Sequence, residues 1–271
     1  MRTQTSMTQE LQKMLRNQNY IVGPLDGIFG GLTRSALISY QKDSGRRPTG
    51  LVDSGTLHEL RHKPLAQVSL PKELLPTQSA IWVELDKARL TLFVDGKYTG
   101  AFLVAIGKAS TPSPFGLWRV VNKALNPGGD FGARWLGIDA PWGSYGVHGT
   151  NNPRIIGKQI SNGCVRMFNQ DVSEVFEHMF VGARVLFTGN PYGTNVFDRT
   201  LRLGDMGSDV FLVQEQLQKL GLLSTSAEGI FGPGTVAALY KFQLQTGLAK
   251  TGVFDKATRA KMFGPVGRKA R

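Results

Sequence analysis

The feature that most constrains this chain is that its two ends repeat. Displaced by 202 residues, Asp26–Thr56 lies over Glu228–Thr258 without a gap, and 13 of the 31 positions are identical. The identities are Gly27, Ile28, Phe29, Gly30, Thr33, Ala36, Leu37, Gln41, Gly45, Thr49, Gly50, Asp53 and Thr56. Upstream, Leu11-Gln12 and Leu15 match Val213-Gln214 and Leu217. Self-similarity of this extent marks one supersecondary unit used twice. A module of about 55–65 residues therefore sits at each end, and about 110 residues between them do not repeat.

The module reads as three helices. Thr8–Asn17 carries Leu11, Met14 and Leu15 on one face. Asp26-Gly27-Ile28-Phe29-Gly30 is a glycine-rich turn. Thr33 opens a second helix with Ala36, Leu37 and Tyr40 as its apolar stripe, and Gly45 ends it. Asp53 caps a third helix that runs to about His62, before Pro64. These motifs resemble the peptidoglycan-binding domain type 1 family, most clearly in the C-terminal copy. There Leu203-Gly204-Asp205-Met206-Gly207-Ser208-Asp209-Val210 leads into the helix, and Glu228-Gly229-Ile230-Phe231-Gly232-Pro233-Gly234-Thr235 and Phe242-Gln243 follow. The N-terminal copy lacks the Gly-x-x-Gly-x-Asp lead-in. The resemblance implies peptidoglycan as the binding partner.

Two segments rich in Pro and Gly separate the modules from the middle. Lys63–Ser79 holds Pro64, Pro71 and Pro76, and Gly189–Thr200 holds Gly189, Pro191 and Gly193. Linkers of this kind make relative motion of the domains the default expectation.

The middle segment alternates as strands do. Ile81–Leu85 and Leu90–Val94 read as strands, with Asp95-Gly96 turning into Lys97–Ile106. Leu117–Val121, Arg134–Ile138 and Arg184–Phe187 read likewise. Only Asn152–Ile156 and Asp171–Phe180 look helical, the latter capped by Asn169. The expected architecture is multidomain: a mainly-β, β-sandwich-like catalytic domain between two small all-α three-helix modules. The expected boundaries are 1–63, a linker at 64–78, 79–188, a linker at 189–199, and 200–266.

The chemistry-bearing residues cluster in Tyr145–Pro153 and Ser161–Met167. Cys164 is the only cysteine, so an internal disulfide is excluded. Gly163 before it permits a tight turn and close substrate approach. Arg166, two residues on, favours the thiolate. Of the four histidines, His148 ends a strand next to Gly149, a loop-edge position suited to a catalytic imidazole, whereas His178 sits within a helix. A Cys with a His is the minimum for nucleophilic acyl transfer. Trp135, Trp142 and Tyr145 either fill the core or line the cleft.

The string as a whole resembles the L,D-transpeptidase catalytic domain, the YkuD-like family, over about 79–188. The resemblance rests on His148-Gly149-Thr150 and Ser161-Asn162-Gly163-Cys164-Val165-Arg166, with Ile156-Gly157 between them. Thr111-Pro112-Ser113-Pro114-Phe115-Gly116 resembles the family's Pro-rich turn before a strand. Asn162 departs from the family, where many members have His. The resemblance implies a peptidoglycan L,D-transpeptidase acting through a thioester. His148 deprotonates Cys164, which attacks the carbonyl of the third stem residue and releases D-Ala. An amine of a neighbouring stem then takes the acyl group, giving a 3-3 cross-link. Gly149 offers a carbonyl to orient His148. Gly163, Arg166 and Ser161 are candidates for oxyanion or substrate binding. An L,D-carboxypeptidase acting on the same bond is the alternative.

A rival reading of another class is a wall-binding zinc peptidase. His58-Glu59-Leu60-Arg61-His62 fits His-Glu-x-x-His, but the other copy carries Ala260–Gly264 there, so the module folds without these groups. No metal and no cofactor is expected. The net charge of +12, spread as +4, +3 and +5 over 1–78, 79–189 and 190–271, suits an anionic partner such as wall polymer. No basic helix or stacking motif points to nucleic acid. The longest apolar run, Ala101–Gly107, has seven residues and spans no bilayer. A monomer in the cell wall is the expectation, with no secretory h-region visible in Met1–Met7 and a spore envelope as one possible setting.

Overall fold

The computed structural model describes residues 6–189 and 199–264. The start of the N-terminal segment, most of the second linker and the end of the C-terminal module lie outside the described residues.

The first module has the three helices expected. Helix α1 (Met7–Asn17) is capped by Ser6, whose Oγ accepts from Gln9 N at 3.1 Å. Helix α2 is Gly31–Asp43. Helix α3 (Ser54–His62) is capped by Asp53, which accepts from Thr56 N at 2.7 Å. Leu11, Leu15, Leu37, Tyr40 and Leu60 form their shared core.

The middle opens with a meander, β1 (Ser79–Glu84), β2 (Arg89–Val94) and β3 (Lys97–Leu103), followed by the short β4 (Ile106–Gly107). Then come β5 (Gly116–Leu125), β6 (Arg134–Ile138), β7 (Tyr145–His148), β8 (Gln159–Ser161) and β9 (Val165–Arg166). Helix α4 (Asn169–His178) and β10 (Arg184–Thr188) complete it. Eight strands form one sheet in the order β3-β2-β1-β10-β5-β6-β7-β9, and β4 pairs with β8 apart from it. The sandwich-like character comes from β5. Its first residues pair with β10 and its later ones with β6, with a bulge between Val120 and Asn122. A bulge lets one strand turn the corner between two faces. Ile81, Leu92, Val120, Leu136, Val147, Val165 and Val185 pack inside, and α4 covers them with Val172, Val175 and Phe176.

Two local expectations change. Asn152–Ile156 is a single 3-10 turn, Pro153–Ile155, because Pro153 starts a turn that no helical stripe continues. Asn169 lies inside α4 and does not cap it; Phe168 holds the cap position without a side-chain bond. The Asn169 Oδ1 instead accepts from Ala133 N at 2.9 Å.

The C-terminal module repeats the first, with α5 (Ser208–Lys219), α6 (Pro233–Gln245) and α7 (Lys256–Phe263) around Val213, Leu217, Phe231, Leu239 and Phe254. The identities shared by the copies have a common structural cause. Buried Gln12 accepts from Gly27 N (3.0 Å) and donates to Ile28 O (3.1 Å); Gln214 accepts from Gly229 N (2.8 Å) and donates to Ile230 O (2.8 Å). Gln41 and Gln243 pin the next turn in the same way through Gly50 and Gly252. Each amide satisfies backbone groups that the loop would otherwise leave unpaired. Gly27 and Gly229 stand at φ +77° and +73°, where glycine carries no steric cost.

Both modules make contacts with the middle domain. Arg16 of α1 pairs with Asp171 of α4 at 3.1 Å and with Glu174 at 2.7 Å, and it lies 4.6 Å over the Phe102 ring. Tyr98 donates to Arg16 O at 2.7 Å, and Gln170 to Leu25 O at 3.1 Å. The first linker is packed as well: Leu74 is fully buried against Ala80 and Leu186. Phe211 of α5 packs against the core of the middle domain.

Candidate active site

Strands β7 and β9 run parallel and in register, Val147 beside Val165 and His148 beside Arg166. Paired residues in a parallel ladder point to the same face. The His148 and Arg166 side chains therefore share a face at the edge of the sheet, with Cys164 two residues before Arg166. Met167 N donates to His148 O at 2.8 Å and closes the end of the pair.

The turn before Cys164 is tied by one hydroxyl. Ser161 Oγ accepts from Gly163 N at 3.1 Å and donates to Cys164 O at 2.6 Å. Ser161 is thus a buried turn residue. Gly163 stands at φ +114°, and a Cβ there would meet the Tyr145 ring at 2.4 Å. Glycine is required both by backbone and by space. The Gly163 N–H is thus held by Ser161 in this structure. The Cys164 N–H makes no hydrogen bond to a described residue.

Cys164 Sγ donates to Ser144 O at 3.8 Å. Burial pushes its thiol up, against the opposing influence of the Gly146 N–H and the Arg166 charge. Arg166 therefore does not leave a standing thiolate: desolvation wins. His148 is almost fully buried, and its Nδ1 lies 2.6 Å from Gly149 O. An Nδ1–H donating there leaves the lone pair on Nε2. Phe131 and Trp135 enclose the ring, with centroids 5.1 and 5.7 Å away. Burial lowers its pKa to about 4, the Gly149 carbonyl opposes this, and Arg166 adds to it. The resting pair is neutral thiol and neutral imidazole, and no hydrogen bond joins them. Catalytic hydrogen bonds of this kind often tighten only with substrate bound. Arg166 has no ion-pair partner among the described residues, and its buried Nε is unpartnered.

Gly149 is fixed by what surrounds it. A Cβ there would lie 2.1 Å from Asn169 Oδ1 and 2.9 Å from Ala133 N. Asn169, read from sequence as a helix cap, thus holds the loop that carries the Gly149 carbonyl.

Two family models match the chain. One, described as the L,D-transpeptidase catalytic domain, covers residues 78–186; the other, "Putative peptidoglycan binding domain", covers 4–60 and 206–262. "Putative L,D-transpeptidase YqjB" of Bacillus subtilis is 39% identical over 129 residues, 42% of this chain and 73% of that protein. The chain belongs to the L,D-transpeptidase family.

Another relative in the family, "Putative L,D-transpeptidase YkuD" of B. subtilis, is 42% identical over 105 residues, 39% of this chain and 63% of that protein. The match thus spans just under two thirds of that relative's length. A solved L,D-transpeptidase from Xylanimonas cellulosilytica overlaps 67% of this chain and 92% of its own at 23% identity, with a TM-score of 0.44.

In this member of the L,D-transpeptidase family, Trp142 and Tyr145 both pack on the core and line a cleft of ≈ 490 Å³. Asn162 lies on its wall. Trp135 donates to Asn122 Oδ1 at 2.7 Å and flanks His148. His178 is exposed near the end of α4. In α3 the His58 and His62 rings lie 4.4 Å apart, and His62 Nδ1 is 2.7 Å from its own helix carbonyl at His58. Glu59 is drawn to Arg46 at 2.8 Å and Lys63 at 3.5 Å, and Arg46 holds its pKa down to about 2. Among the described residues no group of three or more His, Cys, Asp or Glu is arranged to hold a metal. No helix among them is long and apolar enough to cross a membrane.

Proposed function

We propose that the chain is a peptidoglycan L,D-transpeptidase in which Cys164 is the nucleophile and His148 the base. The observation that carries this is the only thiol of the chain, carried by the turn that Ser161 braces, two residues before Arg166, whose strand pairs in register with His148. In the reading, Sγ turns from Ser144 O and gives its proton to His148 Nε2. The thiolate attacks the carbonyl of the third stem residue. The developing oxyanion is met by the Cys164 N–H and the Arg166 guanidinium. The C–N bond to D-Ala breaks as His148 returns the proton to the leaving amine. A thioester remains on Sγ. The amine of a second stem attacks it, loses its proton to His148 and forms the new amide, and Sγ leaves with the proton. The Gly149 carbonyl orients the imidazole throughout.

Catalysis is assigned to residues 79–188, wall binding to 1–63 and 200–266, and the working place to the cell wall, where two modules would add avidity. The family match, the two binding-module matches and the positive charge of every segment support this reading. The test is incubation of the whole chain with disaccharide tetrapeptides, followed by mass analysis of protein and products. A tetrapeptide adduct less D-Ala on the wild type, absent in Cys164→Ala, together with 3-3 linked dimers, is expected. Tripeptide alone as product would make it a carboxypeptidase, and an adduct on any other residue would overturn the assignment.

A further inference from the structure

The C-terminal module is joined to the catalytic domain by an aromatic seam. Phe211 of α5 meets Phe115 edge-on at 5.6 Å and Trp118 at 6.0 Å, and Trp118 meets Trp142 at 5.2 Å. Trp142 in turn lies on the backbone of Gly229, where a Cβ would come within 2.2 Å of its ring. Two hydrogen bonds lock the start of α5 to the Pro-rich turn: Ser208 Oγ donates to Ser113 O at 3.1 Å and accepts from Phe115 N at 3.0 Å. Phe211 packs with the catalytic core, whereas the module's own core is built from Val210, Val213, Leu217 and Phe231. At the equivalent position of the other copy stands Gln9, so this aromatic is not needed to fold the module.

Trp142 at the end of the seam, and Ser208 at the start of α5, line a cleft. The ≈ 490 Å³ space has Thr111, Pro112, Tyr145 and Asn162 on the catalytic side and Met206 and Asp209 on the module side. It ends at Asn162 and Tyr145, beside the turn that carries Cys164, and does not include the thiol itself. Tyr145 touches Gly163 and is continuous with that turn.

We propose that the C-terminal module is a fixed wall of the substrate cleft, and that the stem peptide and its attached sugar are held between it and the catalytic domain. The inference rests on the transpeptidase reading. It gives the module a place in the cleft beside the wall binding proposed for it. Uniform binding of a remote part of a substrate lowers KM and leaves the chemical step unchanged. Undocking the wall should therefore raise KM and spare kcat.

The test uses the full chain with Phe211→Ser, Phe115→Ser and the double variant. Hydrogen exchange should show the first turn of α5 loosened and its central turns still protected. KM for a soluble disaccharide tetrapeptide should rise about tenfold in each single variant, about 1.4 kcal/mol of lost binding. The double variant should add little, since both side chains make one joint. Alkylation of Cys164 by iodoacetamide should keep its rate, and Phe211→Leu should recover most of the affinity. The same tetrapeptide is titrated in the Cys164→Ala background, so binding is read without turnover. Wild-type binding that Phe211→Ser weakens, with no turnover in the active protein, would sink the transpeptidase reading and leave the wall standing. Unchanged KM and unchanged binding in both single variants, whether or not exchange shows the seam opened, would overturn the wall.

Discussion

Arg16 and Asp171, 155 positions apart in the chain, meet at 3.1 Å with their side chains only 3% and 1% exposed. A first helix and a late helix are thus locked by an ion pair from which water is excluded. Glu174 completes the arrangement at 2.7 Å. Removing Asp171 leaves Arg16 with Glu174 as its remaining carboxylate, whereas removing Arg16 leaves the buried Asp171 without its cation. Asp171→Ala is expected to cost about 1–3 kcal/mol in urea unfolding, the range for a buried group that loses one hydrogen-bond partner. Arg16→Met, which fills the space without a charge, should cost less because Asp171 can take up a proton. Equal, negligible effects of both would show that the docking does not depend on the pair.

The acid side of the stability profile has two opposing contributors. His148 titrates near 4 when folded, against roughly 6.5 when unfolded. Its contribution is present above about 6.5 and is lost as pH falls towards 4. Burial raises Asp171 to about 6 despite Arg16, against roughly 3.9 unfolded. Its contribution has the opposite sign: present below about 4, lost as pH rises through 6. Between pH 4 and 6 the two partly cancel. Urea midpoints of Asp171→Asn should therefore fall more steeply on acidification than those of the wild type. A parallel pair of curves would contradict the assignment.

The activity profile follows from the same site. With the His148 ring neutral down to about 4 and the Cys164 thiol pushed up by burial, acylation should rise with pH on the alkaline side. It should show no imidazolium-limited fall between pH 5 and 7. Arg166→Gln withdraws the charge that favours the thiolate, so the rising limb should move to higher pH. Stopped-flow acylation against pH reads both effects, and an unmoved limb would exclude an electrostatic role for Arg166.

Ser161→Ala deprives Gly163 N–H and Cys164 O of their shared partner. Buried groups left unsatisfied in this way cost about 1–3 kcal/mol. The turn carrying the thiol also loses its brace. Acylation should slow by roughly tenfold with the pH midpoint unchanged, and Ser161→Thr should restore part of the rate. A shifted midpoint would mean that the hydroxyl acts on the thiol itself.

His58→Ala with His62→Ala should leave turnover intact and change stability by no more than about 0.5 kcal/mol, the usual effect of a surface substitution. Chelator should have no effect. Zinc-restored activity after chelation would revive the peptidase reading.

Much of this molecule was legible in its sequence because it is local or repeated. The three-helix modules follow from apolar spacing, Asp53 and Asp255 as caps, and glycines at positive φ that recur in both copies. Strand β7 ending at His148 and the turn before Cys164 follow from alternation and Gly163. What the sequence did not disclose is long-range. Arg16 and Phe211, the two docking side chains, stand where the other copy has Gln218 and Gln9. That mismatch within the repeat was the available signal, but it does not say what an odd residue touches. Only the tertiary structure decided that Asn169 braces a loop and leaves the helix uncapped, that Ser161 takes the Gly163 N–H, and that burial overrules Arg166 at the thiol. The reason is physical. Periodicity and turn chemistry are set by neighbours along the chain, whereas desolvation and hydrogen-bond partnership are set by whatever the fold brings alongside.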